Sequence, residues 1–176
     1  MQIVLIAVAT LDGCITRHDD AGTGHWASAE DQAHFRTSIA ACDVRVFGAT
    51  TYRADREWMR SSLRPGIRRV VLTRNPAALA DDVVEGQLEF TDESPTVLAA
   101  RLRAEGHERC ALLGGGEVYG AFLAAGLVDE LQLSLEPMMF GSGVRLGGSV
   151  PVDARFILTE VANLNLSTLL LTYQRG

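Results

Sequence analysis

The sequence predicts an α/β domain of three layers, a mostly parallel central sheet with helices on both faces and an antiparallel C-terminal hairpin. Three observations carry that expectation. The chain opens on a near-continuous apolar run, QIVLIAVA at 2–9, which suits a strand buried on both faces. Strand-like segments then alternate with segments bearing helix start and stop signals, the pattern of crossovers in a parallel sheet. Finally, the apolar runs 156–164 and 166–173 follow each other too closely for a crossover and read as a hairpin.

The elements follow in order. Behind the first strand, TLDGCITRHDDAGTGHW is rich in Gly, Asp and Thr and reads as a long loop. Ser28 is an N-cap for a helix carrying Ala33, Ile39 and Ala40. A strand over Asp43–Gly48 leads into a short helix from Ala49 to about Trp58, and a third strand, Arg68–Thr73, stops at the turn signal Asn75-Pro76. A short strand at Leu88–Phe90 precedes Ser94-Pro95, an N-cap with proline in the first helical position, and Gly106 ends that helix after Ala104. Arg109–Leu113 is a strand, Gly115–Ala125 a helix and Val128–Leu135 a strand.

Length and composition bound the function. The 176 residues fit one domain spanning 1–176, and 47% hydrophobic with 22% charged residues is ordinary globular usage. No stretch has the apolar length of a membrane span, and MQIVLIAVA has neither a basic leader nor a cleavage site, so a soluble cytoplasmic protein is expected. A net charge of -6 without any basic block argues against a nucleic-acid surface. All 16 basic residues are arginines, which removes lysine from any chemistry. Cys14, Cys42 and Cys110 form no CxxC pair and read as buried free thiols; the four histidines show no ligand spacing, so no metal site is expected.

In open parallel sheets ligands bind beyond the carboxyl ends of the strands. The residues there are Asp12-Gly13, Gly48, Thr50-Thr51, Thr73-Arg74, Gly114-Gly115-Gly116 and Glu136. The three glycines stand between a strand and a helix, in LLGGGEVYGAFLAAGLVDEL. Bare main chain at a helix start, with unpaired amides and a favourable dipole, suits a phosphate or pyrophosphate. Close packing of helix on sheet would need the same glycines.

The chain resembles the dihydrofolate reductase fold family, especially the branch with the reductase domain of riboflavin biosynthesis. The resemblance rests on TLDG at 10–13, WASAEDQAHF at 26–35, FGATTY at 47–52, VVLTR at 70–74, the glycine segment above and LEPMMFGSGVRL at 135–146. It implies NADPH as the hydride donor and a heterocyclic small-molecule substrate, with the pyrimidine 5-amino-6-(5-phosphoribosylamino)uracil leading and dihydrofolate or another pterin second. A non-catalytic NADP-binding protein is the alternative of another class.

Carried over by residue, the resemblance places the cofactor pyrophosphate over Gly114, Gly115, Gly116, Glu117 and Val118, with a cis peptide at Gly114-Gly115. It puts Gly48, Thr50 and Thr51 at the phosphates, Thr73 and Arg74 at the adenosine ribose, where Arg74 would select a 2′-phosphate, and adds Val8 and Ile15 to the cofactor set. Asp12 and Asp31 become the catalytic carboxylates, and Trp26, Phe35, Ser134 and Glu136 join them around the substrate. Asp31 is equally compatible with an acid that merely satisfies the helix start, Asp12-Gly13 with a plain turn, Glu136 with a solvated strand end, Thr73 with a turn cap and Arg74 with a loop arginine.

Three departures stand beside the resemblance. Ala49 and Glu117 occupy positions often basic in dihydrofolate reductases, and Ile6 stands where the riboflavin branch commonly has a lysine. The HxE and PCxxC motif of a zinc deaminase is absent, so that activity belongs to another chain. The branch often forms homodimers, and the apolar LNLSTLLLTY could supply the partner surface.

Overall fold

The structure is a computed structural model that describes residues 1–18 and 26–176. Eight strands form one sheet: β1 (Gln2–Thr10), β2 (Val44–Gly48), β3 (Arg68–Leu72), β4 (Leu88–Thr91), β5 (Arg109–Leu112), β6 (Glu130–Glu136), β7 (Phe156–Asn163) and β8 (Leu169–Arg175), in spatial order β4-β3-β2-β5-β1-β6-β8-β7. The first six strands in that order are mutually parallel; β8 runs antiparallel to β6 and to β7. The expected architecture, parallel sheet and terminal hairpin, is what the chain adopts.

Helices α1 (Ala29–Ala40), α2 (Ala49–Ala54), α3 (Arg56–Ser61), α4 (Pro95–Ala104) and α5 (Gly116–Ala124) make the outer layers. Strand alternation decides which residues meet which helix. Ile3, Leu5, Val44, Val46, Val70, Cys110 and Leu112 pack with Leu98 and Leu102 of α4 and with Val118, Phe122 and Leu123 of α5. On the opposite face Val4, Ile6 and Ala111 meet Phe35 and Ile39 of α1, while Phe47 and Val71 meet Tyr52 of α2 and Met59 of α3. All three cysteines are free and buried.

Local signals fixed several ends. Ser28 Oγ accepts the Asp31 amide and Ser94 Oγ the Val97 amide, with Pro95 in the first turn. The single helix expected over 49–58 is instead two, because Asp55 (φ -115°, ψ 22°) leaves helical geometry and its amide closes on Thr51. Strand β6 starts two residues later than expected and ends one later, with Val128 packed in the core before the sheet begins. The helix expected from Gly115 starts at Gly116, with Gly115 as its extended N-cap.

Two ties matter beyond the core. The Asp82 carboxylate, in a 3-10 segment over Pro76–Asp82, accepts from the Tyr52 hydroxyl at 2.8 Å and from Arg56 and Arg60. In the hairpin, β7 is the outer strand and leaves Ile157, Leu158 and Val161 exposed; within the segment LNLSTLLLTY, Leu166 and Leu169 are exposed and Leu170 is buried.

Helix α5 and the segment 143–150 approach so closely that side chains would not fit between them. A Cβ on Gly120 would lie 2.2 Å from the Gly147 carbonyl oxygen and 2.8 Å from Val150 Cβ. Alanine inside a helix ordinarily stabilises by about 1 kcal/mol over glycine. Here Gly120→Ala is expected to destabilise by roughly 1–3 kcal/mol, because the obstacle is backbone and cannot rotate away. Urea denaturation of both proteins checks the sign, and a stabilised variant would contradict the packing.

Candidate active site

The carboxyl ends of the parallel strands gather the residues anticipated for a site. Strand β2 ends at Gly48 beside the glycine loop: its amide donates to the Gly114 carbonyl at 2.7 Å, and a Cβ on it would stand 3.1 Å from Val118 Cγ2. The peptide Gly114-Gly115 is cis. Cβ atoms on Gly114 and Gly115 would lie 3.4 and 3.5 Å from Thr51 Oγ1, so that hydroxyl faces this stretch of backbone directly. The amides of Gly115, Gly116 and Glu117 donate to nothing among the described residues, as befits the first turn of a helix.

The glycines therefore have different reasons. Gly114 has φ +118°, a backbone conformation that side chains rarely adopt. Gly116 faces the protein, where a Cβ would stand 2.6 Å from Val144 Cγ1 and 2.7 Å from the Arg145 oxygen. Close packing and amides without an acceptor among the described residues coexist in this loop. Glu117 spends its carboxylate on the Ser149 amide and hydroxyl, both at 2.8 Å, and these bonds hold its pKa below the usual carboxylate range. Val118 is buried against Gly48, and its amide returns to the Gly115 carbonyl rather than facing outward.

On the neighbouring strand end, the Thr73 hydroxyl accepts the Asn75 amide at 3.3 Å and shapes the turn, while Arg74 is exposed. Thr50 lies exposed in the first turn of α2. Ile15 is buried in the α5-side core, whereas Val8 is half-buried beside Ser134 in the β1–β6 register.

The carboxylates divide by partner. Asp12 accepts from the Thr10 hydroxyl and from the amides of Gly141 (2.7 Å) and Phe140 (3.3 Å); these bonds, the Thr10 one foremost, lower its pKa to about 2. Its carboxylate fastens segment 140–141 to the end of β1. Glu136, 2% exposed, accepts the Ser28 amide at 2.8 Å through one oxygen and the Thr168 hydroxyl at 2.9 Å through the other. It is thus no solvated strand end.

That arrangement bears on the capping-box form of the helix-start reading of Asp31. In a capping box the acid in the third helical position turns back to the N-cap amide. Glu136 already holds that amide, so Asp31 has no capping task. Its carboxyl is buried, and desolvation pushes its pKa up; the neighbouring Ser134 hydroxyl and His34 work the other way, while the Glu136 charge adds to the rise. A buried carboxyl beside a second carboxylate, at the mouth of a sheet, is an arrangement suited to proton supply.

Phe35 lies one helical turn from Asp31 and packs toward Ile6, whose side chain is 4% exposed. Trp26 is buried edge-on to Phe140, 5.2 Å between centroids, and its Nε1 has no hydrogen-bond partner among the described residues. Arg17 stacks its guanidinium over the same Phe140 ring at 5.0 Å. Phe140, Arg17 and Thr168 were not singled out from sequence. Phe140 and Thr168 belonged to quoted segments, but the ring contact and the Thr168 bond join positions far apart in the chain.

Comparison with known proteins follows the same lines. Residues 2–170 match the profile of the RibD C-terminal domain. The chain belongs to the RibD C-terminal domain family. It is 25% identical over 148 residues, 82% of each chain, to the uncharacterized Bacillus subtilis protein YwjB. A pyrimidine reductase-like protein from Corynebacterium diphtheriae superposes with a TM-score of 0.79 at 17% identity, over 99% of this chain and 92% of that one. A putative riboflavin biosynthesis protein from Shewanella sp. PV-4 gives 0.76 at 19%, over 100% and 99%. A deaminase/reductase from Thermotoga maritima gives 0.78 at 18%, with this chain spanning 56% of it. At these identities the solved structures establish the shared fold. Within the RibD C-terminal domain family, the position expected to hold a lysine is here the sealed Ile6, whose carbonyl accepts the Tyr119 hydroxyl at 2.8 Å.

Proposed function

We propose that the protein is an NADPH-dependent reductase that transfers hydride to a pyrimidine-type substrate, with 5-amino-6-(5-phosphoribosylamino)uracil in riboflavin biosynthesis as the leading candidate. The carrying observation is Asp31, buried, its N-cap amide already taken by Glu136, with its carboxyl pKa raised by burial. Reduction of a carbon–nitrogen double bond needs hydride on carbon and a proton on nitrogen. A bound nicotinamide supplies the hydride. Asp31, whose raised pKa lets it hold a proton closer to neutral pH, supplies the proton, and the buried Trp26 Nε1, unpaired among the described residues, offers a donor to a ring oxygen or nitrogen.

The residues present fit the dinucleotide. The unpaired amides at 115–117 and the Thr51 hydroxyl would hold its pyrophosphate, and exposed Arg74 would pair with a 2′-phosphate and favour NADPH over NADH. Asp12 remains in the proposed site as the residue that shapes its rim through 140–141. A pterin such as dihydrofolate is the second reading, favoured by a buried acid one helical turn from an aromatic ring. The homodimer expected from sequence would use the hairpin segment LNLSTLLLTY, where Leu166 and Leu169 are exposed.

The test is steady-state oxidation of NADPH and of NADH, with the pyrimidine and dihydrofolate offered in parallel. Faster oxidation of NADPH with the pyrimidine is expected. Turnover of dihydrofolate alone would select the second reading, binding without turnover would make the protein a nucleotide-binding module, and failure to bind either nucleotide would end the proposal.

A further inference from the structure

Two arginines sit in the sheet where no anion meets them. Arg45 and Arg69 are register partners on β2 and β3, 6% and 1% exposed. Arg45 Nη2 donates to the Ile39 carbonyl near the end of α1, at 3.1 Å; Arg69 Nη2 donates to the Ser62 carbonyl at the end of α3, at 2.6 Å, and to the Ser62 hydroxyl. These acceptors are neutral. Arg45 Nε and Arg69 Nη1 are buried with no hydrogen-bond partner among the described residues.

The usual remedy is missing. Arg56, Arg60, Arg68, Arg101 and Arg109 each have a carboxylate within salt-bridge distance; Arg45 and Arg69 have none among the described residues. Arg64, exposed two residues beyond the Ser62 that Arg69 holds, adds a like charge to both, as Arg45 does to Arg69. The nearby Cys42 thiol is no counterion, because burial raises its pKa and keeps it protonated. Desolvation first, then Arg45 and Arg64, bring Arg69 down to about 10, still charged at neutral pH. Buried cations side by side, with idle N–H groups, are costly unless something negative joins them.

We propose that Arg45, Arg69 and Arg64 form a binding site for a phosphate-class oxyanion, set under the segment between α3 and β3 at the amino ends of β2 and β3. The site lies at the opposite end of those strands from Gly48 and Arg74 and does not depend on the reductase reading. Idle N–H groups from separate guanidinium forks suit several oxygens of one tetrahedral anion better than a single halide. The helix carbonyls position the two buried forks, and Arg64 is the solvent-facing member. The oxyanion is either free inorganic phosphate or the phosphate ester of a metabolite.

Thermal unfolding of the full chain separates these outcomes. Inorganic phosphate and a sugar phosphate are titrated at ionic strength matched with chloride. At ten times the dissociation constant an occupied site raises Tm by roughly 3–5 °C. Arg64→Ala, at an exposed position, is expected to retain the fold and weaken phosphate binding about tenfold or more, whereas Arg74→Ala keeps the response. A response to the ester but not to phosphate identifies the ester as the ligand. Equal effects of phosphate, ester and chloride, or a response lost in Arg74→Ala and kept in Arg64→Ala, overturn the proposal. Phosphorus NMR reads the same binding independently of stability: line broadening is expected with the wild type and should be relieved in Arg64→Ala.

Discussion

Asp31→Asn is expected to lower the turnover number by roughly 10²–10⁴-fold, the range supplied by a positioned general acid, with little change in KM for NADPH. The amide preserves the shape of the carboxyl and can still meet Ser134, but it has no proton to give. The sign of the pH effect follows from the raised pKa. In the wild type the rate should fall as pH rises through that raised value, where Asp31 loses its proton; in the variant that limb should disappear. Stability moves the other way. A carboxyl whose folded pKa is raised destabilises the fold above its unfolded pKa, so the neutral amide should leave Tm unchanged or higher at neutral pH. A variant with turnover within threefold of wild type would remove Asp31 from proton supply, whatever its Tm.

Asp82→Ala is expected to cost about 3 kcal/mol, although it lies far from any proposed chemistry. Its carboxylate is the meeting point of three donors, and the Tyr52 hydroxyl among them is fully buried. Arg56 and Arg60 reach solvent and can rehydrate, but Tyr52 would be left with an orphaned donor. The Arg56 bond, foremost, depresses the folded pKa of Asp82. The stabilisation is therefore complete above the unfolded value of about 3.9 and disappears as pH falls through the lower folded value. Tm measured from pH 5 down to 2 should decline more steeply in wild type than in Asp82→Ala; parallel curves would place the loss elsewhere.

What could be read from the sequence was what is local. Ser28 and Ser94 announce helix starts through their own side chains, Gly106 and Asn75-Pro76 announce stops, and unbroken apolar runs announce strands covered on both sides. The break at Asp55 carries no such signal, because its neighbours are ordinary helix formers. In the site, the residues at strand ends were legible because a parallel sheet brings those ends together. Their tasks were not. Glu136 could be assigned to the Ser28 amide only once β6 was known to end beside α1, and Gly116 could be assigned to packing only once 144–148 was seen against α5. Arg45 and Arg69 sit in segments that read as buried strands, and it is their pairing across β2 and β3 that places both charges in one spot.

The double engagement of Glu136 links elements that are distant in the chain. One of its oxygens steadies the start of the helix that carries Asp31; the other is held by Thr168, just before the last strand. The acid proposed to deliver a proton is therefore only as well aimed as the hairpin is well seated. Catalytic constants become a gauge of how the C-terminal hairpin docks, and a change at Thr168 that touches neither substrate nor cofactor should register first as misaligned chemistry and only afterwards as lost stability.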